Sequence, residues 1–415
     1  MNSTAAKKNN RIVETAFSLL NYCQQNNWAG YDPYDALNSR VFNLTPFSGS
    51  RICRIAITQI MKRLPVNIRP LLGIGPEQNP KALALFLSSF IKLSRLGQLP
   101  GEELISRMIE HLKALRAPST PYWCWGYSFP WQTRTNLVPR GYPNLVCTVF
   151  SASALLDAYE YTGDLHCLEM AVSAADYILD ELFWTDEDAV SGFSYPLPNL
   201  RARVHNANFL GAALFCRVAH HSGEKKFLVP ALDVARYSAD RQHEDGSWDY
   251  GEFSTQRWVD NFHTGFNLCA LRDINRYAGT TEFEPHIGKG YMFYIDSFFR
   301  QDGAPKYFHN RVYPLDVHSV AQSIITLLEL KDRDERSVPL AHKVFGWAME
   351  NLWDDRGFYY YHIQPLFKNK LSYMRWSQAW MMSALSHLLE YVQRQTFSDM
   401  GCISDIFNNK NILKV

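Results

Sequence analysis

The chain lacks any stretch approaching eighteen unbroken apolar residues, so no segment is expected to span a membrane. It has no CxxC, HxH or HxxxH pair, which removes the preformed ligand sets of zinc sites; neither a metal nor a cofactor is expected. Phosphate-cradling glycine loops are missing as well, since "GIGPEQ" has neither a third glycine nor a preceding strand. Charge of one sign is also absent: 42 Lys and Arg against 41 Asp and Glu leave a formal +1. Nucleic-acid and membrane partners usually demand a basic excess, so neither is expected. The eight cysteines are scattered, several in apolar helical runs such as "FNLCAL". Scattered thiols, with no leader-like core in "MNSTAAKKNNRIVETAFSLL", lead to the expectation of a cytoplasmic protein.

What the chain does have is a period. Glycines followed by aromatics occur in "SGFSYP", "DGSWDYG", "DGAPKYF" and "DRGFYYY", at Gly192, Gly246, Gly303 and Gly357; the separations are 246 − 192 = 54, 303 − 246 = 57 and 357 − 303 = 54. Pro230, Pro285 and Pro339 repeat at 55 and 54, each near the start of an apolar helical pattern, where the missing N–H has no partner to lose. His205, His263 and His318 repeat at 58 and 55, and Trp376 follows at 58. Each of these four opens a segment dense in Ala, Leu and Phe.

The unit therefore reads as loop, helix, short turn, helix. The helix after each polar mouth is apolar nearly all round and should be buried on both sides; its partner is amphipathic. About six buried and six outer helices follow, with an extra segment near residues 51–63. An open solenoid shares such periodicity. Long aromatic loops that always precede the same helix favour a closed all-α double barrel, a six-hairpin α/α toroid. One domain is expected over residues 1–395, with a tail at 396–415. "QHEDGSW" matches the QxxDGSW repeat of terpene cyclases, where it ties helix ends together; their DxDD acid is absent.

Parallel inner helices would gather all the loop-to-helix mouths at one end. That end would carry Tyr34, Asp35, Trp125, Trp131, Gln132, Arg134, Asn208, Trp248, Tyr250, Glu252, Lys306, Arg375 and Trp376 as substrate-binding groups. Aromatic faces cover the C–H patches of a pyranose, and amides, carboxylates and cations satisfy its hydroxyls. Helix N-termini with Arg134, Arg140, Lys306 and Arg375 would suit an anionic sugar, unless the arginines are spent on Asp32, Asp260 and Asp316. His205, His263 and His318 are the candidate acid–base residues, and Asp260 and Asp316 could orient an imidazole or act as carboxyl catalysts.

Together, "GYDPYDALNS", "WGYSFPWQTR", "VHNANFLGA", "QHEDGSWDYG", "WVDNFHTGF", "QDGAPKYF", "YPLDVHSVAQ" and "YMRWSQAW" resemble the six-hairpin α/α-toroid proteins of bacterial polysaccharide-biosynthesis loci, some of which are labelled aminolevulinate dehydratase. The resemblance covers residues 30 to about 392. It implies making or modifying a surface glycan, contact with polysaccharide-assembly proteins, and a fold shared with glycoside hydrolases, glycan lyases and sugar epimerases; it brings no set of catalytic residues. The expected function is acid–base chemistry of the epimerase or lyase type on an anionic sugar unit. The alternatives are a glycoside hydrolase using a carboxyl pair from Glu252, Asp260 and Asp316, and a non-catalytic glycan-binding or scaffold protein.

Overall fold

The structure, a computed structural model, describes residues 3–99 and 101–399. Its helices, in chain order, are α1 (Ser3–Gln25), α2 (Arg40–Asn43), α3 (Arg51–Arg63), α4 (Pro80–Arg95), α5 (Glu102–Ala114), α6 (Leu145–Thr162), α7 (Leu165–Tyr177), α8 (His205–Ser222), α9 (Leu228–Ala239), α10 (Asn261–Ala278), α11 (Glu284–Phe298), α12 (Val317–Glu329), α13 (Ser337–Asn351) and α14 (Trp380–Asp399). The last helix thus continues into the expected tail, and residues 400–415 of that tail lie outside the described residues. No helix among the described residues is long and apolar enough to cross a membrane.

Helices α4, α6, α8, α10, α12 and α14 pack side by side in that order, and α14 packs back onto α4. The inner ring is closed. Helices α5, α7, α9, α11 and α13 each lie against the inner helix that precedes them, while α1 takes the sixth outer place against α14. The last hairpin is therefore assembled from the two ends of the fold. The extra segment foreseen near residues 51–63 is α3, outside the ring.

The sequence explains which helix goes where. Inner α6 buries Leu145 to Val149 and then Ser151, Ala152, Ala154, Leu155, Leu156 and Ala158, leaving no polar face. Outer α7 buries Cys167, Met170, Ala171, Ala174 and Ala175, the spacing of a single stripe. Asn79, Asn144, Asp260 and Asp316 cap inner helices by accepting from the backbone N–H of Lys81, Cys147, His263 and His318. Gly163, Gly223 and Gly279 end three of them in the left-handed conformation.

Three of the repeated glycines have a common physical reason. Gly246, Gly303 and Gly357 have φ of +95°, +92° and +92°, and each abuts the backbone of the next outer helix: Lys289 of α11, Lys343 of α13 and Ser18 of α1. A Cβ would come within 2.4, 3.0 and 2.8 Å of those carbonyl oxygens. The repeat stitches neighbouring outer helices together, and its last copy closes the circle on α1. Gly192 does not belong to this set. It lies in a strand, Ser191–Phe193, where the missing side chain leaves room for Trp184.

The remaining structure is in the outer-to-inner connections. Strands β1 (Trp131–Gln132) and β2 (Leu137–Val138) pair antiparallel, as do β3 (Phe183–Thr185) with β4 (Ser191–Phe193). Beyond β5 (Leu315–Asp316), β6 (Trp353–Asp354) pairs with β7 (Phe358–Tyr359), and β8 (His362–Ile363) lies between β5 and β9 (Lys368–Asn369). These short hairpins precede the inner-helix N-termini, the bowl end of the ring.

Candidate active site at the inner-helix N-termini

The capping residues fix how each mouth is oriented. His205 is the first residue after its cap Val204, His318 the second after Asp316, and His263 the third after Asp260. Successive helical residues are about 100° apart around the axis. The near-equal spacing of the three histidines therefore conceals three different directions, and the expected convergence of all three on one cavity is not what the fold produces.

His205 turns toward the outer layer. Its Nδ1 is 3.4 Å from Ser238 Oγ of α9, and burial pushes its imidazole down to about 4. Asn208 Nδ2 donates to the same hydroxyl at 2.9 Å, while its Oδ1 accepts from Phe193 N at 3.1 Å. Both residues belong to the seam between α8 and α9.

His263 is held by its own cap. Its Nδ1 is 2.7 Å from Asp260 Oδ2, and that carboxylate also accepts from Trp258 Nε1 at 3.1 Å and from His263 N at 2.9 Å. A carboxylate at Nδ1 places the proton there and leaves the Nε2 lone pair free. The ring lies against Tyr250 and Phe262, with centroids 4.7 and 4.3 Å away, and Tyr250 stacks on Trp258 at 4.6 Å. Asp260, His263, Tyr250 and Trp258, with Asn206, Thr264 and Asn267, line a narrow crevice.

His318 points inward at the second position. It is 2% exposed and lies between Phe262 and Trp380, 4.4 and 4.5 Å away, with the Trp376 ring edge-on at 4.7 Å. Neither ring nitrogen has a hydrogen-bond partner among the described residues. Burial first, then the cations Lys81 and Arg375, hold it well below the usual imidazole range, so it is neutral.

The second position after each cap carries the bowl floor: Lys81, Val146, Asn206, Phe262, His318 and Arg375. Lys81 was missed by the sequence reading. It is 4% exposed, and its Nζ lies over Phe150, Trp380 and Phe266 at 4.1, 5.1 and 5.4 Å from the ring centroids. Among the described residues the ammonium has no hydrogen-bond or carboxylate partner. Burial, reinforced by Arg375, lowers its pKa to about 7. The signal was present in "NPKALALF": a lysine two residues after a capping asparagine, opening a helix that is otherwise apolar.

The arginines behave as structural bridges. Arg375 grips Asp32 with Nε and Nη2 at 2.6 and 2.8 Å, and Arg69 Nε holds Asp35 at 2.7 and 3.0 Å. Arg140 pairs with Glu77 at 2.7 Å, and Arg134 is exposed. The cations of this end without a carboxylate among the described residues are Lys81, exposed Arg134, Lys306 and Lys62, whose Nζ donates to Tyr34 Oη at 2.6 Å.

Other expected binding residues have been drawn into the scaffold. Trp125 and Trp248 are buried, and their indole N–H groups donate to Leu112 O at 2.8 Å and Ser238 O at 3.0 Å, each tying a loop to the end of the preceding outer helix. Glu252 is enclosed by Arg203, Arg241 and Tyr237. Gln132 accepts from Arg54 at 2.8 Å, and Lys306 donates to His309 O at 2.5 Å. Asp316 caps α12 and accepts from Trp376 Nε1 at 3.0 and 3.2 Å; burial raises it to about 7. Trp131 is half-buried beside Tyr127 and Tyr195. The groups actually brought together are His263 with Asp260, Tyr250, Phe262, His318, Lys81, Arg375, Trp376 and Tyr34, the last two rings being 5.6 Å apart.

No protein-family model matches the chain, and no curated protein matches it in sequence. Solved structures do match in fold. A cellobiose 2-epimerase from Bacillus thermoamylovorans superimposes with a TM-score of 0.59 at 10% identity, over 76% of this chain and 88% of that one. A family 76 α-mannanase from Bacteroides thetaiotaomicron gives 0.60 at 12% identity, over 76% and 87%. The Lin0763 protein of Listeria innocua gives 0.59 at 14% identity, over 94% and 98%. At these identities the likeness is one of fold, and with the closed ring it establishes that this chain is a six-hairpin α/α toroid.

Proposed function

We propose that the protein is a carbohydrate-active enzyme that moves a proton on an anionic sugar unit held in the bowl, in the making or modification of a surface polysaccharide. The observation that carries the reading is the Asp260–His263 pair, whose imidazole lines an aromatic and amide-lined crevice. An aspartate that fixes the tautomer and orientation of an imidazole prepares it as a general base. Tyr250 and Trp258 supply ring faces for the sugar, and Asn206 and Asn267 supply hydroxyl partners. Lys81 takes the role first given to Arg134 and Arg375: an ammonium free to meet a carboxylate and to neutralise the enediolate that forms when the adjacent C–H is deprotonated. Return of the proton on the other face gives epimerisation; departure of a β-oxygen substituent gives elimination. His318, neutral beside Phe262 and without a hydrogen-bond partner among the described residues, can accept that proton only where the substrate's negative charge offsets Lys81 and Arg375.

The similarity of fold to sugar epimerases and glycoside hydrolases accords with a saccharide substrate. Hydrolysis by a carboxyl pair fits less well, because Asp260 and Asp316 cap helices and Glu252 is enclosed by its arginines. The test is deuterium incorporation next to the carboxylate of uronate-containing oligosaccharides incubated in D2O. His263→Ala is expected to slow exchange by about 100- to 10,000-fold. New reducing ends without exchange would replace the proposal by hydrolysis. Binding with neither outcome would replace it by a glycan-binding role.

A further inference from the structure

The near-zero net charge of the chain hides a strongly one-sided segment. Between Asp35 and Glu77 there is no acidic residue, while Arg40, Arg51, Arg54, Lys62, Arg63 and Arg69 supply six cations. Of these only Arg69 has a carboxylate partner among the described residues. This segment, built around α2, two single-turn helices and α3, lies outside the ring and corresponds to no hairpin of the repeat.

The same segment is apolar on its solvent side. Leu44, Phe47, Ile52, Ile60, Val66 and Leu71 are all exposed, with Leu44 at 88% and Leu71 at 81%. On α3 the exposed residues Ile52, Ala56, Gln59, Ile60 and Arg63 form one outward face, while Thr58 and Met61 are buried. The β8–β9 turn adds Leu366, 96% exposed, and Phe367 beside it. That turn is continuous with the segment: Ile60, Arg63, Leu64 and Pro65 share an open hollow of about 680 Å3 with Gln364 and Phe367, and Asn369 Nδ2 donates to Leu64 O at 3.2 Å. No acid occurs between Asp355 and Glu390, so this neighbour is acid-free too. Seven exposed large apolar side chains of this segment and two of the turn account for nine of the seventeen among the described residues. Such concentration marks an interaction face and not random scatter.

We infer that this face docks the protein on an anionic lipid surface. Cations interleaved with apolar side chains on an interfacial helix are the chemistry by which a peripheral protein enters the headgroup layer: arginines meet lipid phosphates, and the apolar tips pass below them. Several of the apolar residues protrude singly from turns, as groups entering a fluid interface can. An acidic protein would have to supply a separate recess for each. The location adds meaning. Lys62 lies on α3 and reaches inward to Tyr34 and the Trp376 ring, so the docking face and the bowl share one rim. Docking there presents the bowl to material at the membrane surface.

The experiment is co-sedimentation of the full chain with vesicles of pure phosphatidylcholine and of phosphatidylcholine containing 30% phosphatidylglycerol, at low and high salt. Binding to the anionic vesicles alone, weakened by salt, is expected. Arg40→Glu/Arg51→Glu/Arg63→Glu should lower the affinity by at least roughly 100-fold, at about tenfold or somewhat less for each cation removed. Leu44→Ser/Leu71→Ser/Leu366→Ser, which leaves the charge unchanged, should also weaken binding. These side chains are exposed, and an unaltered circular-dichroism melt confirms that each variant folds. Absence of binding to the anionic vesicles overturns the inference. So does equal binding of the wild-type and triple-serine proteins to anionic vesicles, which would make the face a site for acidic macromolecules.

Discussion

Replacing Lys81 by methionine should make the protein more stable and less active. The lysine is buried without a counter-ion, and its pKa falls from an ordinary 10.5 to about 7. A lowered folded-state value means that the unfolded chain binds the extra proton between pH 7 and 10.5, so stability rises with pH across that window and the full cost persists below it. The gap, 10.5 − 7 = 3.5 pH units, sets a ceiling of about 5 kcal/mol at about 1.4 kcal/mol per unit. Three rings around the ammonium offset about 1 kcal/mol each through cation–π attraction. Lys81→Met, which keeps the length and lies comfortably among aromatics, should therefore gain about 2 kcal/mol at pH 6 and lose that advantage near pH 10. Urea unfolding followed by tryptophan fluorescence at pH 6, 8 and 9.5 measures it. A methionine variant less stable than the wild type at pH 6, or a difference that ignores pH, would refute the reasoning. If the ammonium serves the sugar carboxylate, the same variant loses exchange activity on uronates.

Two further outcomes follow from the packing. Gly357→Ala places a Cβ 2.8 Å from Ser18 O at a φ of +92° and should cost about 2 kcal/mol, whereas Gly346→Ala, inside α13 with open space around it, should gain about 0.5–1 kcal/mol; paired thermal melts compare them. Arg375→Met leaves Asp32 buried and unpaired, at a cost of about 3–5 kcal/mol, while the double variant Arg375→Met/Asp32→Leu should recover much of that in urea titrations.

The ring was legible because its cause is local. Burial on all sides, capping residues and turn glycines are written within each repeat, and the fold follows from counting them. Site direction was less legible. His205, His263 and His318 look equivalent by spacing, yet one or two residues between cap and histidine rotate each side chain into a different environment. Aligning the caps instead of the histidines would have exposed this, and would have picked out Lys81. The Asp32–Arg375 bridge joins residues 343 apart in sequence, and the mutual neutralisation it brings depends on the ring having closed. Trp125 and Trp248 carry the same lesson: an aromatic in a loop reads as a sugar platform until its indole is seen to hold a helix end. The cationic face of α3 was hidden by averaging, because acids elsewhere cancel it in the total.

Ring closure by α1 also sets a timetable for biogenesis. Of the described helices this one is translated before the others, but its seat on α14 begins at residue 380, and 380 − 25 = 355 further residues take about 20–70 s to translate. For all that time Ile12, Ala16, Leu19, Leu20 and Cys23, fully covered in the finished toroid, have nothing to cover them. The nascent protein must carry an orphaned apolar helix until α14 is made, which makes α1 the segment on which a holdase would be expected to act.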